Sequence, residues 1–222
     1  MRVLITGGTG AIGLAIDEAM QKKYQVTTLS RNDCDLLSIQ SIEKFLSEID
    51  LNFDVFIHAA GVNNPINSID LNNKELEKTL QVNFFSGIHV AQKILPYMKK
   101  NKFGRIVFIS SLWSQMGRSN RLAYSASKGA IDASMRCLAV EYAKYNILVN
   151  SISPGFVNTP LTRKNIPESK FEDIFARTPT GKFVEIRDIV RTIMFLCDTN
   201  NNSLTGQNIV VDGGYMLSGD YE

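Results

Sequence analysis

The sequence predicts an α/β fold, a doubly wound parallel sheet, and three observations carry that expectation. Short apolar runs of strand length recur at residues 3–6, 24–29, 53–58, 105–110, 147–153 and 208–211, and segments of helical periodicity lie between most of them. Glycines and small residues follow several runs, as in Gly7-Gly8-Thr9-Gly10, Ala59-Ala60-Gly61 and Pro154-Gly155, so the chain turns tightly at strand ends. No linker, repeat or biased stretch divides the 222 residues, and a single domain over 1–222 is expected.

The first run opens directly into Gly7-Gly8-Thr9-Gly10-Ala11-Ile12-Gly13 and then a helix to about residue 23, with Leu14, Ile16, Ala19 and Met20 inward. Glycines let a backbone approach a pyrophosphate closely, and the free N–H groups at a helix start attract its charge. Gly7, Thr9, Gly10, Ala11, Ile12 and Gly13 are therefore candidate dinucleotide contacts. The second strand ends at Ser30-Arg31. An acidic residue there would bond both ribose hydroxyls, whereas a small hydroxyl followed by arginine leaves room and charge for a 2′-phosphate, so NADP is expected ahead of NAD.

Too few residues separate Arg31 from Asp35 for a crossover helix. A shortened third strand is expected, with Asp35 and Leu36 beside the adenine, followed by a helix over 38–49 capped by Ser38. The fourth strand exits through Ala59-Ala60-Gly61, small enough for a flat ring to lie against the backbone. A long helix over 73–100 carries Asn83 in its apolar stripe and Pro96 near its end. A buried amide needs partners, either main chain or part of a site.

The fifth strand ends at Ser110-Ser111, and after a loop containing Trp113 a helix over 122–145 begins. The i,i+4 spacing places Tyr124 and Lys128 on one face. A free tyrosine titrates near ~10, and an adjacent ammonium lowers that value. With the Ser111 hydroxyl, such a pair can hold and protonate a carbonyl oxygen. The sixth strand leads into Pro154-Gly155-Phe156-Val157-Asn158-Thr159-Pro160 at the sheet edge where ligands usually bind. Residues 161–178, with Phe171, Ile174 and Phe175, read as a lid, and a helix over 185–197 precedes the last strand.

Composition bounds the partners. Lys plus Arg number 24 and Asp plus Glu 22, for a formal charge of +2 without runs of like charge. That pattern points to a small molecule, with no nucleic-acid or membrane footprint. The N-terminus shows no export signal, and Cys34, Cys137 and Cys197 are too scattered for a disulfide framework, which fits the cytoplasm. With only His58 and His89, both in apolar surroundings, no metal site is expected.

Jointly these motifs resemble the short-chain dehydrogenase/reductase family in its compact single-domain form. The resemblance rests on Thr6-Gly7-x-x-x-Ala11-x-Gly13, on Ser111, Tyr124 and Lys128 at family spacing, on Pro154-Gly155, and on Leu204-Thr205-Gly206-Gln207 before Val211-Asp212-Gly213-Gly214. It spans nearly the whole chain and is similar to 3-oxoacyl-acyl carrier protein reductases, although alanine stands at position 11 and His58 opens a motif that is usually asparagine-rich. It implies a Rossmann-type NADPH-dependent carbonyl reductase or secondary alcohol dehydrogenase. Ser111 and Tyr124 would bond the carbonyl oxygen, Tyr124 would donate the proton, Lys128 would hold the nicotinamide ribose, and Asn83 would support a water-linked relay. Pro154, Gly155, Val157 and Thr159 would touch the cofactor. A homodimer or homotetramer is implied, built on the helix around Asn83 and the Tyr124 helix. The substrate class stays open between a 3-oxoacyl thioester, with Arg118 and Arg121 facing an acidic carrier, and a keto-sugar or other biosynthetic ketone. The non-enzymatic alternative, a dinucleotide-binding sensor or scaffold, has no need of Ser111, Tyr124 and Lys128.

Overall fold

Alternation along the strands builds both faces of the sheet. The structure, a computed structural model, describes residues 1–218, so residues 219–222 of the expected domain lie outside it. Strands β1 (Arg2–Thr6), β2 (Gln25–Leu29), β3 (Val55–His58), β4 (Gly104–Ile109), β5 (Ile147–Pro154) and β6 (Asn208–Val211) pair in parallel throughout, in the order β2-β1-β3-β4-β5-β6. Successive side chains of a strand point to opposite faces. Leu4, Phe56, Ile106, Phe108 and Val149 therefore enter one core, and Val3, Ile5, Val55, Ile57, Val107 and Ile109 enter the other.

Helices cover both faces, which is why the central strands β3, β4 and β5 are buried at every residue. Helices α1 (Ala11–Gln21) and α2 (Ile39–Ser47) follow the first two strands, one on each face. Then α3 (Asn73–Leu80), a π-helical turn (Gln81–Phe85) and α4 (Ser86–Asn101) run on without a break, and α5 (Leu122–Tyr142) follows β4. After β5 come α6 (Pro160–Asn165), α7 (Phe171–Ala176) and α8 (Ile186–Leu196). Ile42 and Leu46 of α2, Ile94 and Met98 of α4, and Ile131 and Met135 of α5 fill the first core; Ile16 and Met20 of α1 with Ile189 and Ile193 of α8 fill the second.

Three expectations are corrected. No strand forms at Asp35 and Leu36: the shortening is complete, and β2 is the sheet edge. The cause is local hydrogen bonding, since the Asp33 and Cys34 N–H groups both bond Ser30 O, the Asp35 N–H bonds Ser41 Oγ, and the Leu37 N–H bonds Asp35 Oδ1. A segment folded into turns in this way has no ladder to offer a neighbour. The long helix changes to π geometry around Asn83. Leu14, expected inward, is 49% exposed, because Gly13 rather than Leu14 meets the glycine turn.

One buried cation locks the amino end of the sheet. Arg105, 1% exposed, donates from Nη1 to Gly104 O (2.8 Å) and Asn146 O (3.0 Å) and from Nη2 to Asn201 O (2.7 Å), and lies over Phe103. Arg105→Leu is expected to destabilise the protein by about 2–4 kcal/mol, because buried carbonyls lose a charged donor. Urea denaturation of the two proteins checks this, and an unchanged midpoint would remove Arg105 as a structural anchor.

Candidate active site

The crevice lies where the chain reverses its direction of travel across the sheet. The step from β1 to β2 goes one way and the return to β3 goes the other, so the connections leaving β1 and β3 diverge at their carboxyl ends. Gly7 sits there at φ 76°, and a Cβ on it would stand 2.4 Å from the Ala60 nitrogen. Gly10 caps α1 without a side-chain bond, leaving the first N–H groups of that helix without helical acceptors. A cavity of about 670 Å³ runs from Gly7, Thr9 and Gly10 past Ala59, Ala60 and Gly61 to Ser30, Arg31, Asp35 and Leu36. Lys78, which the sequence did not single out, lines it too. At the end of β2 the Ser30 N–H and hydroxyl both donate to Asp33 Oδ2, at 2.9 and 2.6 Å, which holds that carboxyl below its usual range.

A second cavity, about 130 Å³, is lined by Ile12, Ser111, Tyr124, Pro154, Gly155, Val157 and Thr159 together with Asn63, Trp113, Arg118, Arg121 and Asn165. Ala11 and Gly13 line neither cavity. Gly13 is buried where a Cβ would stand 2.2 Å from Gly7 O, so its absent side chain serves packing. The Thr159 hydroxyl accepts the Thr162 N–H at 3.2 Å and caps α6. Trp113 both lines the cavity and packs edge-on against Phe156, with Arg118 over its ring at 4.9 Å. The segment expected as a lid, α6 and α7, sits on a separate cluster of Leu112, Phe156, Ile166, Phe171, Ile174 and Tyr215.

Behind these cavities Asn83 is fully buried and fully bonded. Its Oδ1 accepts the Val62 N–H (2.7 Å), and its Nδ2 donates to Val62 O (3.0 Å) and Ser127 Oγ (2.9 Å). Its main-chain carbonyl accepts from His58 Nε2 at 3.1 Å, while His58 Nδ1 lies 2.7 Å from the Thr6 hydroxyl. A carbonyl can only accept, so Nε2 carries the proton and Nδ1 accepts from Thr6. The ring fits because residue 87 is glycine; a Cβ there would stand 2.7 Å from it. Burial, with help from the Lys128 charge, drives the His58 pKa down to about 3, so the ring is neutral and its tautomer fixed.

Lys128 is 3% exposed and donates to Ile109 O at 2.6 Å. Burial lowers it to about 8 against the opposing charge of Asp132, which is itself bonded to Ser151 and Asn208. Its Nζ stands 5.7 Å from the centre of the Tyr124 ring. The expected lowering of Tyr124 by Lys128 is not what this geometry gives. Burial raises the Tyr124 pKa, and the groups that oppose it are the Ser111 hydroxyl and the Arg121 guanidinium. Ser111 is held by accepting the Trp113 N–H at 3.3 Å. Arg118 and Arg121, weighed from the sequence only as a patch for an acidic carrier, thus stand on the wall of the Tyr124 cavity.

Comparison with known proteins identifies the class. The family model described as Enoyl-(Acyl carrier protein) reductase matches residues 10–216. A tropinone reductase homolog of Arabidopsis thaliana is 31% identical over 243 residues, covering 97% of this chain and 92% of the relative. A 3-oxoacyl-[acyl-carrier-protein] reductase of Aquifex aeolicus is 32% identical over 215 residues, covering 96% and 86%. Among solved structures, 4-hydroxyisoleucine dehydrogenase complexed with NADH superposes with a TM-score of 0.93 at 27% identity, covering 98% of this chain and 99% of that one. The chain belongs to the short-chain dehydrogenase/reductase family and is an NAD(P)-dependent oxidoreductase. Among the described residues no helix is long and apolar enough to cross a membrane, and no three His, Cys, Asp or Glu side chains gather as a metal site would require.

The buried His58 has a consequence for stability. Its folded pKa lies below the unfolded value of about 6.5, so the stability it allows is complete above pH 6.5 and is lost as pH falls toward 3. Between pH 6.5 and 5, above the carboxylate range, stability is expected to fall by about 1.4 kcal/mol per pH unit from this group. Urea midpoints at pH 7, 6 and 5 measure it, and His58→Asn is expected to flatten the slope. The same slope in both proteins would exclude His58 as its source.

Proposed function

We propose that the protein interconverts a ketone and a secondary alcohol with NADP as cofactor, Tyr124 acting as the general acid of the reduction. One observation carries the reading: the Ser111 and Tyr124 side chains border a single cavity at the carboxyl edge of the sheet, which adjoins the glycine-lined trough. The trough fits a dinucleotide. Gly7, Thr9, Gly10, Ala59, Ala60 and Gly61 line it, the close approach of Gly7 to Ala60 leaves no room for a Cβ at residue 7, and Gly10 brings the amino end of α1 to it. Its lining includes Arg31 and Lys78, the latter 3.6 Å from the Glu75 carboxylate, and the Arg31 guanidinium is suited to a 2′-phosphate. The Asp33 carboxylate, the group that would favour NAD, is turned back onto Ser30.

The nicotinamide, when bound, supplies or accepts the hydride. The chain's own residues manage the oxygen. Ser111 and Tyr124 donate hydrogen bonds to it and stabilise the charge that develops there. Tyr124 then delivers its proton, and burial, by keeping the phenol protonated, prepares it for that direction. Lys128 stands behind Tyr124, beside Gly61 and Asn83, where it would hold the cofactor ribose and refill the phenol through solvent. Pro154, Gly155, Val157 and Thr159 form the wall on which the nicotinamide would rest. The relatives act on chemically different carbonyl or hydroxyl compounds by their names, and what those compounds share is the reacting group. We extend the reading to a cytoplasmic homodimer or homotetramer, supported by the exposed Phe85 and Val140 on the helices that the family pairs.

Tyr124→Phe is expected to lower kcat by at least about 10²-fold while leaving the dissociation constant for NADPH within a few-fold of wild type. NADPH oxidation against a ketone panel and cofactor titration check it, and wild-type rates in the variant would overturn the assignment. Arg31→Ala is expected to weaken NADPH by about 10- to 100-fold and NADH little, since a charge-assisted phosphate contact contributes about 1.5–3 kcal/mol. Equal losses for both cofactors would refute the phosphate role.

A further inference from the structure

Resting on that reading, we propose that the substrate is a small oxo acid whose carboxylate docks on the Arg121 guanidinium in the Tyr124 cavity. Arg121 is 7% exposed, and among the described residues its buried Nε and Nη1 have no hydrogen-bond partner. The cavity wall carries no Asp or Glu, and the charge beside Arg121 is another cation, Arg118. Buried polar groups in folded proteins are nearly always bonded, and a buried cation without a counter-ion is costly, so an exception at a cavity wall marks a partner that arrives with the ligand.

Arg105 provides the internal contrast. Also buried, it leaves only its Nε without a partner among the described residues, spends both terminal nitrogens on main-chain carbonyls and has a structural task. Arg121 has no such bonds and stands next to the reacting group. A guanidinium fork matches a carboxylate with two parallel hydrogen bonds. Asn63 also lines this cavity, and among the described residues its buried Oδ1 has no partner, so a second polar group of the ligand would meet it.

Reach and volume narrow the class. Arg121 is the N-cap of α5, three residues before Tyr124, and both side chains line the same small cavity. With its carbonyl oxygen on Tyr124, the ligand's carboxylate falls within a few bonds of the carbonyl carbon, as in 2-oxo to 4-oxo acids. A cavity of about 130 Å³ admits a compact acid of that kind. An acidic carrier protein would reach the exposed Arg118 but not the buried Arg121.

The test uses 2-oxobutanoate, 4-oxopentanoate, their methyl esters and a 3-oxoacyl thioester, with NADPH oxidation for turnover. Binding is followed separately by fluorescence of Trp113, the sole tryptophan of the chain and a residue of the cavity wall. The acids are expected to bind at least about 10-fold more tightly than the esters, as for one charge-assisted pair. Arg121→Gln is expected to erase that preference and Arg121→Lys to keep part of it. Without ligand, Arg121→Gln is expected to melt no lower than wild type, since a buried unpaired charge has gone; a structural arginine would behave in the opposite way. Equal affinity for acids and esters, an acid preference that survives Arg121→Gln, or a preference for the thioester would each overturn the proposal. Acid-selective binding without turnover of any ketone would sustain the docking site and refute the reductase reading, while turnover of esters without acid preference would do the reverse.

Discussion

The carboxamide of Asn83 fixes the spacing on which the crevice depends. It reaches Val62 on the connection leaving β3 through both of its polar ends, and Ser127 on α5 through its remaining donor. Two elements distant in sequence are thereby set at one distance, and Tyr124 and Lys128 travel with the second of them. A side chain bonded in this way cannot rotate without leaving several buried groups unpaired. The π-helical turn is the backbone's accommodation of that demand, since an extra residue in the turn frees the Asn83 carbonyl to meet His58 rather than to continue an α-helical ladder. His58 in turn is anchored to Thr6, its register partner on β1. The central strands, the π turn and α5 thus form one hydrogen-bonded unit.

Electrostatics in the crevice follow from burial more than from pairing. Lys128 is lowered because it is enclosed, and Tyr124 is raised for the same reason. Both shifts favour the uncharged forms, as desolvation does for any acid or base. The charges that do act there come from outside the expected pair: Asp132 one turn beyond Lys128, and Arg121 one turn before Tyr124. An account limited to tyrosine and lysine would have given the phenol the wrong direction of shift in the unliganded protein.

Much of this architecture was legible in the sequence because its signals are local. The apolar runs, the glycine turn and the Ser38 cap of α2 each follow from a few adjacent residues, and the structure places them within a residue or two of expectation. The i,i+4 relation of Tyr124 and Lys128 is likewise a helical certainty once α5 exists. What escaped depends on long-range pairing. That Asp33 turns onto Ser30, that Asn83 bonds Val62 and Ser127, and that Gly87 exists to admit the His58 ring cannot be read from spacing, because each partner is fixed only by the finished fold. Arg121 was visible as a basic residue and invisible as a buried one. Its signal, a cation three positions before the tyrosine with no acid nearby in sequence, becomes interpretable only when the surrounding wall is known to lack carboxylates.

The complete loss of the third strand changes the rim of the molecule. In its place stand a five-residue edge strand and a run of turns from Ser30 to Leu37 that lines the trough, with no further strand beyond it among the described residues. On the proposed reading the adenine of a bound cofactor lies at this rim with little protein beyond its outer edge. Substituents attached there would project into solvent. The chain is therefore suited to cofactors tethered through the adenine ring to a polymer or solid support, a modification that a sheet extended by one more strand and its helix would obstruct.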